Sequence, residues 1–173
     1  MKHLKKHAVA LMVALTCLAQ GVYADNAATI AAYINTTSAG DLTTTISGNT
    51  VTVNGTVSGA LSTGNYITLN IDAGVTVQWK ASLTGNPSNS YALINISGGS
   101  GTFEVQSGGT IKNTNTGRSI TNNSTATVTI SGGTVESGSG VAIYNASTGT
   151  VNVSSGSVSA ATGTAIYNYN STN

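Results

Sequence analysis

The chain has 173 residues, six Lys or Arg against five Asp or Glu, and a formal net charge of +1. Charged residues are only 6% of it, so no basic stripe of the kind that holds nucleic acid can form. Its one cysteine, Cys17, and both histidines, His3 and His7, sit near the N-terminus. The remainder therefore has no disulfide, no Cys- or His-based metal site and no Ser–His pair.

Residues 1–24 read as an export signal rather than as part of the fold. Lys2, Lys5 and Lys6 precede an apolar run from Ala8 to Leu18, and Val22-Tyr23-Ala24 fits the small-x-small cleavage pattern. The run is too short for a membrane-spanning helix. Lipidation at Cys17 is the rival reading, set back by the bulk of Thr16. Cleavage after Ala24 leaves Lys80, Lys112 and Arg118 against Asp25, Asp41, Asp72, Glu104 and Glu136, a formal charge of about −2.

Residues 25–42 read as an N-terminal cap. Within Asn26 to Ser38, Ile30, Tyr33 and Ile34 recur at helical spacing in an alanine-rich stretch, which predicts a short amphipathic helix over the first coil. Residues 43–173 change character. Short runs alternate apolar with polar residues, are rich in Val, Ile and Thr, and are bounded by Gly and Ser, which is the pattern of strands.

Thr127 to Gly149, TVTISGGTVESGSGVAIYNASTG, repeats at Thr150 to Thr172 as TVNVSSGSVSAATGTAIYNYNST, a period of 23 residues. A repeat of that length marks a solenoid, whose units bury their apolar faces only by stacking. Three short strands per unit predict a parallel β-helix of about five coils of roughly 23 residues. Extending the repeat upstream gives five columns. They are Leu69, Phe103, Val128 and Val151; Ile71, Val105, Ile130 and Val153; Val77, Ile111, Val135 and Val158; Leu93, Ile120, Ile143 and Ile166; and Asn95, Asn122, Asn145 and Asn168. Val128, Ile130, Val135, Ile143, Val151, Val153, Val158 and Ile166 are expected inside, with Thr127, Thr129, Glu136 and Tyr144 outside. Lys80 to Asn89, which holds the only proline, reads as an insertion.

The asparagine column has two readings, a structural ladder of stacked amides or a row of ligand contacts. Tyr144 and Tyr167 share an outward column, which is either a carbohydrate platform or a stack between coils. Thr50/Thr52, Thr68/Asn70, Thr102/Glu104, Thr127/Thr129 and Thr150/Asn152 form outward Thr rows of the kind an ice-binding face would use, although ordinary β-propensity also explains them. Candidate surface-binding residues are thus Tyr144, Tyr167, Thr127, Thr129 and Thr150. The sequons at Asn35, Asn54, Asn95, Asn122, Asn123, Asn145 and Asn170 follow from composition.

The pattern TVTISGGTV…AIYN resembles the right-handed parallel β-helix repeats of bacterial secreted and surface proteins, the pectin-lyase-like fold. The resemblance covers the chain from about Thr43 and implies a bacterial exported protein. It implies no catalytic residues, because the acid and Arg/Lys clusters of the lyases have no counterpart around Arg118. Three function classes follow. The first is a non-catalytic adhesin-like spacer, with carbohydrate or a cell or matrix surface as partner. The second is an ice-binding protein, and the third a polysaccharide lyase or hydrolase resting on Asp72 and Glu104. No cofactor is implied. The chain stops in repeat register, which reads either as truncation or as an end that self-associates.

Overall fold

The computed structural model describes residues 26–37, 41–59, 61 and 64–169. Residues 1–24, read above as an export signal, with Cys17 among them, and Asn170 lie outside the described residues. A helix, α1 (Ala27–Thr37), precedes thirteen strands: β1 (Leu42–Ser47), β2 (Thr50–Ser58), β3 (Ile67–Ile71), β4 (Thr76–Trp79), β5 (Ser82–Gly85), β6 (Ala92–Gly99), β7 (Thr102–Val105), β8 (Thr110–Asn113), β9 (Arg118–Asn122), β10 (Thr127–Ser137), β11 (Val141–Asn145), β12 (Val151–Ala160) and β13 (Thr164–Asn168). They wind into a β-solenoid of about five turns with parallel sheets. The larger sheet carries two strand positions of every turn, the smaller sheet the third. No described helix is long and apolar enough to cross a membrane.

Four apolar columns run the length of the solenoid. The first is Val51, Val77, Phe103, Val128 and Val151, and the second Val53, Trp79, Val105, Ile130 and Val153. The third is Val57, Leu83, Ile111, Val135 and Val158. In the smaller sheet Ile67, Ile94, Ile120, Ile143 and Ile166 make the fourth. The alternation of β4, β7 and β10 turns these side chains inward and leaves polar neighbours outside. The Trp79 and Phe103 rings, both fully buried, pack with centroids 6.0 Å apart at 38°.

These columns correct the upstream half of the sequence reading. Leu69 and Ile71 belong to β3 of the smaller sheet and do not stack under Phe103 and Val105. Val77 takes that place, and Leu83 takes the place assigned to Val77 under Ile111. Ile94, not Leu93, pairs with Ile120. The stretch from Lys80 is no insertion, because Ser82–Gly85 is a core strand between β2 and β8. The cause is a change of period. Thr52, Gln78 and Glu104 stack at intervals of 26 residues, whereas Asn122, Asn145 and Asn168 stack at 23.

In the fourth turn Val128, Ile130, Val135 and Ile143 are buried, and Thr127, Thr129, Glu136 and Tyr144 stay half-exposed outside. In the fifth, Val151, Val158 and Ile166 keep the same register but are only partly covered, and Val153 is 48% exposed. Among the described residues β12 and β13 each have one neighbouring strand in their sheet.

The first turn is covered differently. Asn26 caps α1 by accepting from the Thr29 amide at 2.9 Å. Ala27, Ile30, Ala31 and Ile34 are buried against the first coil, and the Tyr33 hydroxyl accepts from the Thr68 amide at 3.2 Å. The strand β1 does not join the parallel stack. It folds back antiparallel on β2 through a turn in which Gly48 has φ +57°. Gly55, at φ +114°, lets β2 bend between its two pairing positions, and a Cβ there would strike the Asp41 carbonyl.

Candidate functional site

Stacking identical turns sets like residues above one another, so each outward column is a potential ligand surface. Most of these columns are instead consumed by contacts between coils. The Glu104 carboxylate accepts from Gln106 at 2.9 Å, Ser131 at 2.7 Å and Gln78 at 3.4 Å. That network spans three turns. Lys112 and Glu136, opposite each other in β8 and β10, form an ion pair at 2.8 Å. With side chains 49% and 34% exposed, both groups are solvated. Lys112→Ala should therefore cost no more than about 1 kcal/mol, with the difference from wild type shrinking as salt rises. Urea melts at low and high ionic strength check both points.

The asparagine column is a ladder across the last three turns. Asn122 Nδ2 donates to Asn145 Oδ1 at 3.1 Å, and Asn145 Nδ2 to Asn168 Oδ1 at 3.2 Å. The same amides close the turns that follow, Asn122 onto the Ala126 carbonyl and Asn145 onto that of Gly149. Asn122 is fully buried and Asn145 nearly so, which removes both from ligand contact. Asn95 is not a rung. It stands opposite Thr121, while Ile96 and Leu69 continue the column below Asn122. Its Oδ1 accepts from Asn123 Nδ2 at 2.9 Å instead.

The tyrosine column is a closed stack. The Tyr144 and Tyr167 rings are parallel within 2°, centroids 5.4 Å apart, an offset-stacking distance. The Arg118 guanidinium lies 3.6 Å from the Tyr144 ring centroid, contributed by the preceding turn. Tyr144 therefore has one face on Arg118 and the other on Tyr167. A sugar packs on the face of a ring, and only the far face of Tyr167 is left open among the described residues. Of the two sequence readings, the stack between coils is the one the rings adopt.

The Thr row differs in membership from the sequence reading and is more regular. Thr50, Thr76, Thr102 and Thr127 are paired in unbroken register, with Thr150 directly before Val151 in the next turn. Thr68 and Asn70 belong to the other sheet. The neighbouring column is mixed, with Thr52, Gln78, Glu104, Thr129 and Asn152. A second hydroxyl row, Thr56, Ser82, Thr110, Thr134 and Ser157, runs along the other arm of the larger sheet. Sequence reading missed it because its members align only after the phase correction.

Tyr66 has its hydroxyl pKa pushed up, first by burial and then by the Asp41 carboxylate, but it stands in none of these columns. Among the described residues no three of His, Cys, Asp and Glu come together as a metal site would require. No family model, curated protein or solved structure matches this chain. The functional reading rests on the columns alone.

Proposed function

We propose that this chain is a non-catalytic, exported repeat protein of the pectin-lyase-like β-helix type, serving as an adhesin-like spacer with a weakly binding surface. The observation that supports it is how the outward chemistry is used. Glu104, Lys112, Arg118, Glu136 and Tyr144 each contact a neighbouring turn, as a device for rigid stacking would need and a reactive centre would not. On this reading residues 1–24 direct export in a bacterial host and are removed. Incubation with a panel of polysaccharides should release no reducing ends and no unsaturated products. Turnover abolished by Glu104→Gln would overturn the reading.

A second reading is favoured by the corrected Thr row. Five Thr side chains repeat at the interval of about 4.8 Å set by strand spacing, and such a row can hold ordered water as an ice face does. A thermal-hysteresis assay separates the two. A hysteresis gap that disappears in Thr102→Tyr would favour ice binding, and no gap would leave the spacer reading.

Self-association is part of the proposal. A polypeptide of residues 25–173 has no charged side chain after Glu136 in sequence, and the β12 and β13 edges lack the charged residues that usually deter strand pairing. Its sedimentation coefficient should rise over a hundredfold increase in concentration. A constant monomer value would show that the edges are blunted.

A further inference from the structure

Where the second arm of each turn bends towards the third, two columns lie side by side: Lys112, Glu136 and Ser159, and Thr114, Gly138 and Ala161. The small residues at 138 and 161 leave a depression beside the longer Lys112 and Glu136 side chains. It is an open hollow of about 430 Å³, lined also by Asn113, Ser137 and Ala160. That volume is within the range of small-molecule sites, roughly 300–1,000 Å³.

The groove keeps hydrogen-bonding capacity that the other columns have consumed. Lys112 directs one N–H to Glu136 Oε2, and two of its three ammonium N–H groups remain. Glu136 Oε1 and the Ser159 hydroxyl also lack a protein partner among the described residues. Donor and acceptor charges cancel, so the site has little pull on a simple anion or cation. A vicinal diol suits it. One oxygen accepts from the Lys112 ammonium while the neighbouring hydroxyl donates to the Glu136 carboxylate, and the ion pair need not open. A zwitterion would have to break that pair.

We propose that this groove binds a neutral saccharide through a vicinal diol held by Lys112 and Glu136, with Ser159 as a further contact. The spacer reading above stands without this site. It also places saccharide binding away from the Tyr144 and Tyr167 rings, whose shared faces are occupied.

The test is titration of the full chain with neutral oligosaccharides, followed by calorimetry and by ligand-observed NMR. Binding in the micromolar to low-millimolar range is expected. Ala161→Trp fills the groove from an exposed position and should weaken binding at least about tenfold. Ser159→Leu is a second variant that crowds it without touching the core. Both variants should keep the wild-type far-ultraviolet spectrum, and Ser159→Leu, which adds no tryptophan, should also keep the Trp79 emission. Tyr167→Ala should leave saccharide affinity unchanged, as should Thr102→Tyr. Absence of saturable binding up to about 10 mM saccharide would overturn the proposal. So would undiminished binding by folded Ala161→Trp and Ser159→Leu, or preference for a zwitterionic amino acid over every saccharide. Any of these results leaves the polysaccharide-turnover test of the spacer reading unaffected.

Discussion

Replacing Phe103 by alanine should destabilise the chain by about 3–5 kcal/mol. Phe103 is fully buried and stands between Val77 and Val128 in the first apolar column, against the Trp79 ring. Its neighbours cannot easily collapse into the space. The backbones on either side are fixed by parallel ladders to β4 and β10, so most of the ring volume remains as a cavity. Urea unfolding measures the loss, with far-ultraviolet circular dichroism as one probe. Emission from Trp79, the only tryptophan, is the second probe. The half-exposed Thr102→Ala next to it should change stability by no more than about 0.5 kcal/mol. A Phe103→Ala cost below about 1.5 kcal/mol would mean that the turns slide to fill the gap, which contradicts the register described here.

Asn145→Asp should cost about 3 kcal/mol or more at pH 7, because it replaces two donated hydrogen bonds by a buried charge. The carboxylate could still accept from Asn122 Nδ2, but it would face the Gly149 carbonyl and Asn168 Oδ1 with nothing to donate. A protonated Asp can donate to one of them. Burial and these oxygens should raise its folded pKa above the ordinary value of about 3.9. Since the folded pKa is raised, the variant should lie closest to wild type below about pH 3.9 and fall behind as pH rises through the folded value. The quantity to follow is the stability difference from wild type between pH 3 and 7. A difference that does not change with pH would show that Asn145 is not held between two acceptors.

How far the sequence could be read depends on where one looks. The fourth and fifth turns were legible because AIYN and TV-x-[IV] recur at one spacing, and their columns stand as read. Upstream, Ile67–Ile71 and Thr76–Trp79 are both alternating strands, and alternation alone does not say which lies under Phe103. The deciding signal was present in the 26-residue spacing of Val51, Val77 and Phe103, each preceded by Thr. Around Leu93 no such signal exists. Ala92, Leu93 and Ile94 are all buried, so a period of two gives no phase there. The slip of one residue placed Asn95 in the wrong column. The Lys112–Glu136 pair follows from column position, because Lys112 comes directly after Ile111 and Glu136 directly after Val135, and it needs only those adjacent turns to be in register. The groove beside it does not. It arises from what Gly138 and Ala161 lack, and a missing side chain becomes a concavity only when the neighbouring turns are in place.

The 23-residue turn from Thr127 to Gly149 carries both halves of its main core, ring and amide contacts with its successor. Tyr144 stacks on a Tyr, Asn145 donates to an Asn, and Val128 pairs with a Val. A tandem copy of the gene segment encoding it would therefore insert a coil that fits above and below, with one like-charge contact between half-exposed residues, Glu136 against its own copy. Length in such a molecule can drift by whole units at almost no structural penalty, while the gain or loss of a single codon inside a strand would turn that strand's buried face outward. Natural variants of this chain should differ in reach by multiples of one coil rise, about 4.8 Å each.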